Sequence, residues 1–186
     1  MATSKFFSKV LMASESVQSY VRSTKYQVNG EDAEIHDGAF VKLGAIAGDT
    51  TYASGGKNFN VYLSTAPDTV ATDKVAVVDI AGVSGGTINE NYYNIGTKLY
   101  GLTKQAGELA RIRFLFMNDM FILGDGNFET APTAGQYAIL TENKTTLTPS
   151  STIPATGFTV KILEAQSFEP GQLAKGKQYA CEVVQL

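Results

Sequence analysis

Arg111-Ile-Arg-Phe-Leu-Phe-Met-Asn-Asp-Met-Phe-Ile-Leu-Gly124 alternates side chains over its first six positions, breaks at Asn118-Asp119 and resumes as an apolar run. A period of two marks a strand with one face on a core, so Ile112, Phe114 and Phe116 are expected on one side and Arg111, Arg113 and Leu115 on the other. Because Asn tolerates the backbone of tight reversals, Met117 to Met120 reads as the link of a β-hairpin. Outward from this stretch, residues 39–43, 59–63, 75–80, 136–140, 158–163 and 179–184 are short runs rich in β-branched and aromatic side chains. Turn chemistry separates them at Asp37-Gly38, Gly55-Gly56, Gly85-Gly86, Gly124-Asp-Gly126 and Pro170-Gly171. Strands at turn-marked intervals predict an all-β fold, an antiparallel β-barrel or sandwich. Residues 102–109 offer a helical turn or two, and the Gly/Thr-rich stretches 44–57 and 141–157 read as projecting loops.

The N-terminal segment reads differently. Its first 27 residues hold four of the fifteen Lys/Arg against one of the eighteen acids, a charge of +3, which leaves eleven bases against seventeen acids, −6, in the rest. It also carries apolar anchors without regular turn signals. Residues 1–33 are therefore expected to form an extended N-terminal arm that docks on another protein, and residues 34–186 a β-rich body. In that reading Phe6, Phe7, Tyr20 and Tyr26 fill apolar depressions of the partner, while Lys5, Lys9, Arg22 and Lys25 pair with its carboxylates. Lys9 interrupts the apolar stretch at the start, so no export signal is expected. No window approaches the roughly 18 apolar residues of a membrane span. The net charge of −3 argues against general nucleic-acid binding.

Motifs with a chemical reading are incomplete. Gly82-Val-Ser84-Gly-Gly86 follows a strand as a nucleophile elbow does, but the only histidine, His36, lies upstream and no helix start follows. Gly124-Asp-Gly126-Asn-Phe-Glu129 has Glu where a dinucleotide loop needs its third glycine. As a calcium loop it lacks the turn glycine at Thr130 and the bidentate acid at Gln136. One His and one Cys, far apart, make neither a zinc set nor a catalytic dyad. Cys181 reads as a small buried hydrophobe on a strand. No catalytic residue, cofactor or metal is expected, and the chain is read as a binding protein rather than an enzyme.

Several short motifs occur in a telling order: Gly38-Ala-Phe-Val-Lys-Leu-Gly44, the strand from Asp73-Lys-Val-Ala-Val-Val, Gln105-Ala-Gly-Glu-Leu-Ala-Arg111, Asn118-Asp-Met-Phe-Ile122, Gly135-Gln-Tyr137 and the strand from Tyr179 to Val184. In this order residues 36–186 resemble the head decoration, or capsid cement, proteins of tailed bacteriophages, with Asn118 where that family usually has glycine. The resemblance implies a non-enzymatic structural protein of the virion. It would be made in the host cytoplasm, bind the outer capsid surface and bridge neighbouring copies of the major capsid protein, with a homotrimer at threefold points as one arrangement. The alternative is a tail or head-fibre module that binds host glycans, for which Tyr52, Tyr92, Tyr93 and Tyr100 are the nearest aromatic platform.

Overall fold

A computed structural model describes residues 5, 7–47, 61–80, 103–168 and 176–186. The strands are β1 (Phe7–Leu11), β2 (Val21–Val28), β3 (Glu31–Asp32), β4 (Ile35–His36), β5 (Phe40–Ile46), β6 (Val61–Thr65), β7 (Val75–Val78), β8 (Thr103–Lys104), β9 (Ala110–Phe114), β10 (Met120–Gly124), β11 (Tyr137–Leu140), β12 (Leu147–Ser150), β13 (Thr159–Phe168) and β14 (Gly176–Gln185). A four-residue helix α1 (Ala13–Ser16) and 3-10 turns at Gln18–Tyr20 and Asp125–Asn127 complete the described elements. The chain is all-β, as its alternating runs predict, with antiparallel sheets in a sandwich-like arrangement.

One layer is an antiparallel sheet in the order β1-β10-β14-β13-β11-β12. The other closes on itself. Its neighbours run β2-β6-β5-β7-β9, and β9 returns to β2 with Val21 opposite Arg113 and Thr24 opposite Ala110. The ring is antiparallel except for the β2–β6 pair, which is parallel. Five strands enclose little space, so the interior is filled by small and branched side chains: Val41, Ala76, Val78, Ala110 and Ile112, with Tyr26 beside them. The alternate residues Phe40, Val75 and Val77 face the open sheet and share its core with Phe121, Leu123, Phe158, Val160 and Tyr179. Phe40 binds the layers together, its ring 5.4 Å from Phe158 and 6.4 Å from Phe121.

The structure corrects the expected arm. β1 is an edge strand of the open sheet, paired with β10, and Phe7 packs 5.7 Å from Phe121 in the shared core. β2 closes the barrel, with Thr24 and Tyr26 buried. Phe7, Met12 and Tyr26 are thus buried at home, while Val10, Leu11 and Val17 stay exposed, and the boundary at residue 33 separates nothing, because β1 pairs with β10 and β2 with β6 and β9 beyond it. Three buried carboxylates hold the segment. Asp37 accepts hydrogen bonds from the Phe7 amide (3.0 Å) and the Ile80 amide (2.8 Å). Asp119 accepts from the amides of Ala13 and Phe116, both at 2.9 Å. Asp79 pairs with Arg113, whose Nη1 reaches the Ser14 carbonyl at 3.4 Å.

Three local expectations also change, the first being the loop read at 141–157, which contains the strand β12 paired with β11. β9 and β10 are not a hairpin, because β9 belongs to the barrel and β10 to the open sheet. The reversal at Asn118 (φ 66°) is a corner that carries the chain between layers. Residues 103–109 form the short strand β8 and a turn, in which Glu108 accepts a hydrogen bond from the Gln105 amide, rather than a helix. Each edge of the open sheet is interrupted. A register shift between Lys9 and Leu11 breaks β1, and Pro149 removes a donor from β12, two features that discourage edge-to-edge association.

Candidate functional site

The barrel wall formed by β2 and β9 turns Ala110 and Ile112 inward, so Arg111 and Arg113 project from its outer surface. Antiparallel pairing sets Ser23 beside Arg111 and Val21 beside Arg113. Arg22, opposite Ile112, lies where the wall meets the barrel mouth. The segment from β1 through α1 passes over this wall and contributes Lys9, Ser14 and Glu15, which makes a cleft of about 800 Å³. The chain has three arginines in all, and all three line this cleft.

Their environments differ. Arg113 is 6% exposed and pairs through Nε with Asp79, itself 2% exposed. Such a buried pair costs heavily if one partner is removed, which makes Arg113 part of the framework. The Arg111 Nη2 lies 3.1 Å from Asp79 Oδ2, close enough for ionic attraction, but neither Nε nor Nη2 has an acceptor in hydrogen-bond geometry. Arg22 donates one Nη1 hydrogen bond to the Val21 carbonyl. Lys9 pairs with Glu15. The lining cations Lys9, Arg22, Arg111 and Arg113 therefore outnumber the two acids of the cluster, Glu15 and Asp79.

Ser19, Arg22 and Tyr62 also border a second depression of about 750 Å³ at the barrel mouth, lined mainly by apolar side chains. Tyr20 stacks obliquely on Phe116 there, with ring centres 4.4 Å apart, and Lys74 Nζ stands 5.9 Å from the centre of the Phe114 ring. A cationic cleft thus runs into an aromatic groove along one face.

The eight residues expected to bind a partner divide accordingly. Lys9, Tyr20 and Arg22 do come together on this face. Phe7 and Tyr26 are buried in the two cores and cannot be partner anchors without unfolding. Burial also raises the Tyr26 pKa. Lys5 is half-buried and lines neither depression, and its charge helps lower the pKa values of His36 and Glu129. Lys25, on β2 opposite Leu63, borders neither depression, and Phe6 lies outside the described residues. Arg111 and Arg113 were missed as site residues. Their alternation with Ile112 had marked them as outward-facing, but their convergence with Arg22 depends on barrel closure.

The serine of the elbow-like motif and Tyr52, Tyr92, Tyr93 and Tyr100 lie outside the described residues. At Asp125–Asn127 the chain forms a 3-10 turn, in which the Asn127 side-chain Nδ2 donates to the Asp37 carbonyl at 2.9 Å. Glu129 bonds Thr146, and that hydrogen bond is the main cause of its lowered pKa. Among the described residues, no three His, Cys, Asp or Glu side chains gather within reach of one metal ion. Cys181 is fully buried, and desolvation drives its pKa far upward. The chain matches no protein-family model, no curated protein and no solved structure.

Proposed function

We propose that this chain is a non-enzymatic structural protein of a tailed phage, which sits on the outer capsid surface and stabilises the head by bridging neighbouring major capsid subunits. The observation that carries the reading is the backbone at the motif positions behind the resemblance. Gly38, Gly107 and Gly135 have φ of 73°, 82° and 85°, and Asn118, in the place of a family glycine, has φ 66°. Asn is the side chain best able to replace glycine in that left-handed region, so the departure preserves the geometry. These positions lie in the turns that lead into β5, β9, β10 and β11.

Docking is assigned to the face that joins the cationic cleft to the aromatic groove, in place of a free arm. Tyr and Arg are the side chains that most often dominate protein interfaces, and Tyr20, Tyr62, Arg22 and Arg111 stand together here. The shared core suits bracing, because a close-packed interior has low compressibility and transmits strain. Cosedimentation with emptied, expanded phage heads tests the function. Saturable pelleting at a fixed ratio to the major capsid protein is expected, and pelleting no greater than that of an unrelated acidic protein would refute it.

A further inference from the structure

The convergence of every arginine on one cleft calls for a chemical reason. The chain uses Lys for twelve of its fifteen basic positions, and eight of these lie in described segments away from the cleft, at positions 5, 25, 42, 74, 104, 144, 161 and 177. Lys offers a point charge, whereas the planar guanidinium presents paired donors that match a carboxylate. One arginine, Arg113, is accounted for by Asp79. Arg111 shares the same Asp79 oxygen at 3.1 Å. The Arg111 Nε has no acceptor, and Arg22 spends one donor on the neighbouring Val21 carbonyl. Buried donors normally find partners, so Arg111 is short of acceptors. Ser14, Ser19 and Ser23 add hydroxyls to the same lining.

We infer that the three-arginine cleft is a carboxylate-binding site, in which Arg111 and Arg22 receive an acidic side chain from a peptide segment of the partner while the adjoining groove takes a neighbouring apolar side chain. Charge complementarity favours this occupant, since the cleft carries surplus cations on a body that is otherwise acidic. The overall negative charge repels an extended polyphosphate, and an aromatic groove continuous with the cleft has no use in binding a bare phosphate. Arg113 acts as a positioning residue. Its bond to Asp79 fixes that carboxylate between the two guanidinium groups, which holds Arg111 on the wall. The partner's identity rests on the docking proposal above, whereas the carboxylate chemistry does not.

Because the chain has only three arginines, their Nε–H resonances form a small set in a ¹⁵N-labelled sample. Titration of the full chain with glutarate, with a capped Leu-Glu-Asp-Phe peptide and with inorganic phosphate reads the site directly. Saturable movement of the Arg111 and Arg22 resonances is expected with both carboxylates, at lower concentration for the peptide. Arg111→Gln should weaken peptide binding at least about tenfold, since it removes charge-assisted hydrogen bonds. Lys161→Gln, on the open sheet, should leave binding unchanged. If Arg111→Gln loses the dispersed spectrum of a folded chain, Arg22→Gln carries the same expectation. Three results would overturn the proposal: no movement with any probe, equal peptide affinity in a folded variant, or a response to phosphate alone. Carboxylate binding with no cosedimentation would refute capsid docking and leave this site standing. Cosedimentation with silent arginines would do the reverse.

Discussion

Replacing Phe7 by Ala tests whether the N-terminal residues belong to the folded body. The ring is 4% exposed and sits among Phe121 and its neighbours in the core between the layers. A buried aromatic ring withdraws about 150–250 Å² from water, which at about 25 cal/mol per Å² corresponds to about 4–6 kcal/mol. Measured Phe→Ala losses in cores run at about 3–5 kcal/mol. Because β1 is an edge strand held in its sheet only by β10, it can settle into part of the vacated space, and a loss of about 3 kcal/mol is expected. Urea unfolding followed by circular dichroism would read this as a fall in midpoint of about 1.5 M for a slope near 2 kcal/mol per M, with the slope itself unchanged. Lys9→Ser, which alters a side chain at the cleft rim, should cost less than about 0.5 kcal/mol. A loss below about 0.5 kcal/mol for Phe7→Ala would mean that residues 7–11 are not packed in the core, and the arm reading would return.

Asp119→Asn removes one of two acceptor oxygens that hold the Ala13 and Phe116 amides, and about 1–3 kcal/mol is expected to go with it at pH 7. Desolvation raises the Asp119 pKa above the ordinary carboxylate value, outweighing the two amide hydrogen bonds. The folded state therefore binds this proton more tightly, and wild type should gain on the variant as pH falls from 7 towards 4 in urea titrations; a gap that narrows on acidification would contradict the burial. Asn118→Gly should be nearly neutral, whereas Asn118→Val, forcing a β-branched residue to φ near 66°, should cost about 1–3 kcal/mol, or roughly 2–9 °C in melting temperature; equal melting points would exclude the left-handed corner. Tyr179→Phe should be neutral or stabilising by up to about 1 kcal/mol, because the buried hydroxyl has no hydrogen-bond partner; a loss above about 1 kcal/mol in the same urea assay would reveal a partner.

The strand content was legible because alternation and turn residues are local signals. Arg111-Ile-Arg-Phe showed its period of two, and Cys181 showed its apolar face. The N-terminal segment was misread for two identifiable reasons. β2 buries a polar side chain, Thr24, whose hydroxyl donates to the Tyr62 carbonyl at 2.9 Å, so its inward face does not look apolar in sequence. The second reason is a signal that was present and passed over. Asn29-Gly30, with φ of 54° and 84°, is the dipeptide favoured in two-residue hairpin turns, and it marks β2 as a strand. The corner at Asn118 illustrates the opposite limit. A tight reversal is written in the residue type, but whether the next strand pairs with the last one or changes layer depends on what other strands are offering. Here β2 had already taken the free edge of β9, and β14 received β10.

This arrangement changes what a deletion can reveal about binding. β2 places Thr24 and Tyr26 in the barrel and, two residues earlier, Arg22 in the cleft, so one strand serves both closure and docking. Removing residues 1–33 would open the barrel on both sides of β2 and expose Val41, Ala76 and Ile112. Loss of partner binding in such a truncation would follow from unfolding alone. Side chains that leave the backbone pairing intact separate the two roles. Arg22 and Arg111 are the informative positions, because each can lose its charge while its strand keeps the pairing between Arg22 and Ile112 and between Ser23 and Arg111. Arg113 is uninformative, since its removal strands Asp79 in the interior. A double replacement, Arg22→Gln with Arg111→Gln, should keep the cooperative unfolding transition within about 1 kcal/mol of wild type while abolishing carboxylate binding. Retention of full binding by that double variant would move the site elsewhere on the molecule.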